Sequence, residues 1–145
     1  MIAGILDKIS DMTVFLNPTA DSYRRFGCNK APKYISWSSE NRSQLIRIPA
    51  AAGEYRRAEL RSPDPMANPY LAFALMIYAG LYGIERHLEM PHPAEVDLYQ
   101  ADAGTLVKFR RLPQNLQSAC ATAADSPFIQ TYIPEAILAE YRKRA

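Results

Sequence analysis

Cysteine and histidine are scarce in this chain, two of each among 145 residues. Cys28 and Cys120 form no metal-spaced pair, and two cysteines do not by themselves establish a disulfide. Both are read as free thiols, as suits a reducing cytoplasm. His87, near an expected helix end, and His92, between two prolines, are expected on the surface. Charge of one sign is scarce too: 17 Lys+Arg against 15 Asp+Glu leaves +2, too mild a balance for a nucleic-acid partner. No apolar run approaches the ~20 residues that span a membrane. No secretory leader, internal repeat or low-complexity tract is visible. What remains is one domain's length of chain with 48% hydrophobic residues, enough to build a core. The expectation is a single cytoplasmic domain, residues 1–145.

Against that neutral background one segment is charged in a particular way. Arg42, Arg47, Arg56, Arg57 and Arg61 crowd a stretch that contains no lysine. Arginine's planar fork suits carboxylates and phosphates, so the clustering favours a small anionic ligand. In an extended backbone Arg57, Glu59 and Arg61 point to one side, Ala58 and Leu60 to the other. A carboxylate between two guanidiniums has two readings: a structural ion-pair network on a solvated sheet, or part of a ligand site.

The periodicity predicts a mixed chain. Ile2, Ile5, Leu6, Ile9, Met12 and Phe15 or Leu16 recur at helical spacing, and Asn17-Pro18 closes that helix. Tyr34–Ser39 reads as a strand and Ser43–Ile48 as its hairpin partner, with Arg56–Arg61 as a third strand ended by Pro63 and Pro65. Asn68-Pro69 starts a long helix to Leu88, apolar around much of its circumference as in a buried helix, whose Gly80 and Gly83 permit close packing. Val96–Tyr99 is expected to be extended and Ala101–Phe109 a loop. Further helices are expected from Leu112-Pro113 to Ala123, after Ser126-Pro127, and from Pro134 to Lys143. The fold class is α+β: an antiparallel sheet packed with helices from both ends of the chain.

An ordered series of short motifs runs through these elements. It comprises Asn17-Pro18-Thr19, Ser22-Tyr23-Arg24-Arg25, Ala31-Pro32, Tyr34-Ile35-Ser36-Trp37-Ser38, Asn41-Arg42-Ser43, Ile46-Arg47-Ile48-Pro49, Glu59-Leu60-Arg61-Ser62-Pro63-Asp64-Pro65 and Asn68-Pro69-Tyr70-Leu71. Each match is weak alone, but in this order the series resembles the C-terminal part of the catalytic domain of glutamine synthetase, type I-like.

That resemblance implies an antiparallel catalytic barrel of which this chain is a part, and an ATP-dependent ligase joining glutamate and ammonia through γ-glutamyl phosphate. It makes Arg25 and Arg61 catalytic and, with Arg42, substrate-binding. It places Arg42, Arg47 and Arg57 at the ATP phosphates and makes Glu59 a ligand of Mg²⁺ or Mn²⁺, hard cations that take oxygen donors. It implies no membrane or nucleic-acid partner and a homo-oligomer in the full-length parent. The N-terminal small domain, the nucleotide-binding strands and most metal carboxylates of the family would precede Met1, so the chain is expected to be inactive alone. Two positions depart from the pattern. Lys30 stands where the family usually carries the flap glutamate, and Asp21 where it has asparagine. A lysine repels NH₄⁺ where a carboxylate attracts it, which leaves open another acceptor amine or a non-catalytic binding or assembly relative. Tyr99 falls where many bacterial members carry a regulatory tyrosine; a packing role is the alternative.

Overall fold

The computed structural model describes residues 1–28 and 30–145; Asn29 lies outside the described residues. In chain order the elements are α1 (Ile2–Leu16), α2 (Ala20–Arg24), β1 (Trp37–Ser38), β2 (Ile46–Arg47), a 3₁₀ turn at Gly53–Tyr55, β3 (Glu59–Leu60), α3 (Pro69–Glu85), α4 (Ala103–Leu106), α5 (Leu116–Asp125), α6 (Pro127–Tyr132) and α7 (Glu135–Arg142). The class is α+β, as expected. The chain forms two compact units. Met1–Arg24, Pro63–Met90 and Pro113–Ala145 make the first; Arg25–Ser62 and Pro91–Leu112 make the second.

The first unit is helical, and helices from both ends of the chain meet in it. The apolar stripe of α1 buries Leu6, Ile9, Met12, Phe15 and Leu16, and the Phe15 ring lies 4.7 Å from that of Tyr141 in α7. Its partner α3 comes close enough for backbone contact: a Cβ added at Gly83 would stand 2.6 Å from the Gly4 Cα. Helix α3 starts as predicted. The Asn68 side chain accepts from the backbone N–H groups of Tyr70 and Leu71 at 3.0 and 3.3 Å, and Pro69 fills the first helical position.

Two expectations for α3 are corrected. The helix stops at Glu85 rather than Leu88, because His87 adopts a left-handed backbone (φ 51°) and the Leu88 N–H turns back to the Gly83 carbonyl at 2.9 Å. Nor is the helix buried all round. Its small residues Ala72, Ala79, Gly80 and Gly83, with Leu75, face inward, while Tyr70, Phe73, Ile77, Leu81 and Ile84 are exposed. Mean apolarity told nothing about which side the neighbours occupy.

After α3 the helix starts follow their caps. Helix α5 begins at Leu116 rather than Leu112, because Asn115 and Ser118 form a reciprocal capping box. Ser126 caps α6, accepting from the Ile129 N–H at 3.3 Å and donating to Asp11 Oδ2 at 2.9 Å. Pro134 precedes α7 as predicted.

The second unit holds the sheet, in the order β1-β2-β3. Here the hairpin expectation fails. β1 and β2 pair parallel, Trp37 beside Ile46 and Ser38 beside Arg47; only β2 and β3 are antiparallel, with Ile46 opposite Leu60 and Arg47 opposite Glu59. Side chains inside the connection decide this. Ser38 Oγ accepts from the N–H groups of Glu40 and Asn41, and Asn41 Oδ1 accepts from the Ser43 N–H and hydroxyl. These turns curl the connector back to the starting end instead of reversing the strand. The ordered strands are also shorter than the predicted segments.

Segment 91–100 is tied to this sheet by side chains. Trp37 Nε1 donates to the Pro91 carbonyl at 2.7 Å, Gln44 Nε2 to that of Val96 at 2.8 Å, and the Leu98 N–H donates to Ser43 Oγ at 2.8 Å. The extension expected for Val96–Tyr99 gives way to a turn, since Asp97 Oδ1 accepts from the Tyr99 N–H at 2.9 Å and the Asp97 carbonyl from the Gln100 N–H at 3.1 Å. Asp102 in turn caps the short α4, where a loop was expected.

The glycine contact in the first unit yields a direct test. Substituting Gly83→Val puts side-chain atoms where the Gly4 backbone runs, so α1 and α3 must separate. Chemical denaturation is expected to show a loss of about 1–3 kcal/mol, whereas Gly53→Ala, at a left-handed surface turn with open space around it, is expected to leave α1–α3 packing untouched.

Candidate functional site

Cross-strand pairing creates the core of the site. Because Arg47 lies opposite Glu59, their side chains share one end of the β2–β3 ladder. Arg47 Nε donates to Glu59 Oε2 at 2.9 Å and its Nη2 to Oε1 at 3.1 Å, a two-pronged contact. Arg57 Nε adds a third bond to Oε1 at 3.1 Å. The carboxylate thus sits between two guanidiniums as the alternation suggested, but the second is Arg47 rather than Arg61.

Arg61 takes a different direction. Its N–H pairs with the Leu45 carbonyl at 2.9 Å; its guanidinium reaches the Lys30 carbonyl at 2.9 Å and the Gln44 carbonyl at 3.5 Å. Carbonyl oxygens neutralise no charge, and partial burial, the largest influence, pulls the Arg61 pKa below its ordinary value. Tyr99 and Glu59 act against that pull, while Arg47 and Arg42 are close enough to add repulsion. Arg25 donates through Nη2 to the carbonyl of Ser62, the next residue along. Arg42 is exposed on the curled connector and Arg56 on the approach to β3.

The electrostatic consequences follow from these partners. The Arg47 hydrogen bond, with its charge and a smaller share from Arg57, holds the Glu59 pKa below 4.5. The same contact raises that of Arg47. Burial raises the Tyr99 pKa while the Arg61 cation opposes the rise. Sequence reasoning placed Arg25, Arg42, Arg47, Arg57, Glu59 and Arg61 in one neighbourhood, and the second unit contains them all. It missed Gln44, which is fully buried and links Arg61 to segment 91–100. Adjacent polar residues at 43–44 were the only hint.

The fit to a divalent cation is poor within this chain. Both Glu59 oxygens are engaged by arginines, and no group of three or more His, Cys, Asp or Glu side chains is gathered to hold a metal among the described residues.

The glutamine synthetase catalytic-domain family model matches residues 1–145. The chain belongs to that family. A glutamine synthetase from Methanosarcina mazei is 41% identical over 143 residues, covering 97% of this chain and 32% of the relative. One from Thermus thermophilus matches with the same identity and coverage. A solved GmaS/ADP complex superposes with a TM-score of 0.83 at 32% identity, over 98% of this chain and 33% of the other; apo GmaS without ligand gives 0.81 at 33% identity. The chain thus spans about a third of the length of the glutamine synthetases it matches. No helix among the described residues is long and apolar enough to cross a membrane.

The lowered Glu59 pKa gives a signed expectation. A depressed carboxyl contributes stability above its ordinary pKa and loses it as pH falls through the folded value. Unfolding midpoints measured between about pH 5 and pH 3 should therefore fall more steeply in the native chain than in Glu59→Gln. The Glu59 carboxyl, followed by carbon NMR, should titrate below 4.5 and move back up in Arg47→Met.

Proposed function

We propose that this chain supplies the phosphate-handling part of an ATP-dependent ligase that joins glutamate to ammonia, forming glutamine through γ-glutamyl phosphate. The observation that carries the reading is the crowding of cations around Arg61, whose guanidinium is partly desolvated and whose neighbours include Arg42 and Arg47. Like charges held together on fixed strands favour an anion arriving among them. The family membership and the ADP in a solved neighbour support a nucleotide as one source of that anion.

In this reading Arg42, Arg47 and Arg57 bind the ATP phosphates. Arg61 faces the phosphoryl group as it passes to the γ-carboxylate of glutamate, and Arg25, anchored at Ser62, orients the amino acid. Phosphoryl transfer spreads negative charge over equatorial oxygens, and guanidiniums already held by carbonyls meet it without reorganising. Glu59 keeps Arg47 and Arg57 in register. As a ligand of Mg²⁺ or Mn²⁺ it would need further carboxylates from other polypeptide, so no step is routed through a metal here. Assembly into a homo-oligomer and a cytoplasmic location follow as part of the same proposal.

Lys30 bears on the acceptor. Its backbone is left-handed (φ 66°), its carbonyl is held by Arg61, and its residue is exposed. The flap position therefore presents a cation from a backbone tied to Arg61. That favours a second form of the proposal, with an amine other than ammonia as acceptor.

A chimera tests both forms. This chain replaces the matching third of the Methanosarcina mazei enzyme, and glutamine and ADP are measured. The chimera is expected to form glutamine, and the chain alone to release no ADP above background. Arg61→Lys is expected to lower kcat by about a hundredfold or more, since one preorganised donor to a developing charge is worth that much. A folded chimera that binds ADP yet makes no γ-glutamyl product would overturn the ligase reading. Replacing Lys30→Glu in the chimera is expected to raise kcat/KM for ammonium on the order of tenfold, as a nearby repulsion becomes an attraction; no change would show that Lys30 does not face the amine.

A further inference from the structure

Gln44 is completely enclosed, 0% exposed, yet its side-chain amide is only half used. Nε2 donates to the Val96 carbonyl at 2.8 Å and to Ser43 Oγ at 3.2 Å. A carbonyl oxygen can only accept, so the contact with Val96 fixes which end of the amide is the nitrogen. The other end, Oε1, is buried with no donor among the described residues. A buried acceptor without a bond costs free energy that methionine, apolar and of similar length, would not incur. Packing alone therefore does not account for glutamine at this position; what the amide holds has to.

Its side chain and its backbone hold different things. The side chain holds segment 91–100, tied at Val96 by Gln44 and at Leu98 by Ser43, whose Oγ accepts from the Leu98 N–H at 2.8 Å. The backbone holds Arg61. Arg61 Nη1 donates to the Gln44 carbonyl at 3.5 Å, and the Arg61 N–H donates to the next carbonyl, that of Leu45, at 2.9 Å. Two consecutive carbonyls thus fix Arg61, one at its guanidinium and one at its main chain. Segment 91–100 also carries Tyr99, close enough for its charge to act on Arg61, so the ties at Val96 and Leu98 gather both side chains into one place.

We propose that Gln44 is a positioning residue for Arg61. Its amide, clamped to Val96, fixes the peptides at 44 and 45 and through them the direction in which the Arg61 guanidinium points. This deepens the ligase reading and rests on it for what Arg61 acts upon. Gln44 itself touches no substrate. The clamp lies wholly inside the second unit, at a side chain already closed to solvent, and needs no cover from other polypeptide. Methionine would fill the same space and grip nothing, leaving the carbonyl at 44 free to turn with its side chain.

Two measurements separate positioning from turnover. In the ¹⁵N-labelled chain the Arg61 guanidinium N–H signals, assigned by their loss in Arg61→Lys, report how firmly that side chain is held. Gln44→Met is expected to keep the unfolding midpoint of the native chain or raise it, and to speed solvent exchange of those N–H groups on the order of tenfold. In the chimera the same substitution is expected to lower kcat on the order of tenfold and to leave KM for ATP within about twofold, since the loss falls on a group that meets the phosphoryl in transfer. Should Gln44→Met fail to fold, Gln44→Asn keeps an amide one methylene short of Val96, and the same faster exchange and lower kcat are required of it. Either exchange or kcat unchanged in a folded variant overturns the proposal. So does a kcat that falls only in step with the folded fraction. A chimera that turns over nothing, with Arg61 exchange still governed by Gln44, overturns the ligase reading and leaves the positioning role standing.

Discussion

Positive charge gathered into a small space has to be answered by oxygen, and the second unit is arranged around that requirement. One carboxylate, Glu59, serves Arg47 and Arg57. Carbonyls of Lys30, Gln44 and Ser62 serve Arg61 and Arg25. These two kinds of partner do different things. An ion pair fixes a guanidinium and cancels its charge, whereas a carbonyl fixes it and leaves the charge in place. Arg61 is thereby positioned yet still able to attract an anion. The loop at Lys30 and the connector before β2 converge on it because their carbonyls are its partners, and the exit from β3 holds Arg25 through Ser62.

What the sequence made legible was local. The stripe of α1, the Asn68-Pro69 start of α3 and the Ser126 cap each depend on neighbours a few residues apart, and each was found where expected. The cross-strand bond from Arg47 to Glu59 was not legible, because register depends on how residues 39–45 curl. That curl is set by Ser38, Asn41 and Ser43 side chains competing with the backbone for its own hydrogen bonds. Alternation identified the side on which Glu59 would lie but left its partner open.

Helix α3 shows a second limit. Apolar composition says that a surface avoids water, not which surface is covered. The decision was made by size: α1 needs flat ground for Gly4, and Gly83 and Ala79 supply it, so the bulky residues are left outside. Family motifs reach the arginine series by a different route. They single out positions without giving the partners that hold them, and Gln44 went unnoticed for that reason.

Both compact units are sewn from separated stretches, with the chain passing from one to the other after Arg24, Ser62, Met90 and Leu112. Three of these passages are followed at once by proline: Pro63, Pro91 and Pro113. A break anywhere between Arg25 and Leu112 therefore leaves neither unit with all its pieces on one strand of chain. In hereditary terms the region is linked: recombination between related genes inside it would mismatch two cores at once, while exchange of the whole stretch would keep the second unit intact and mismatch only the first, where α3 meets α1.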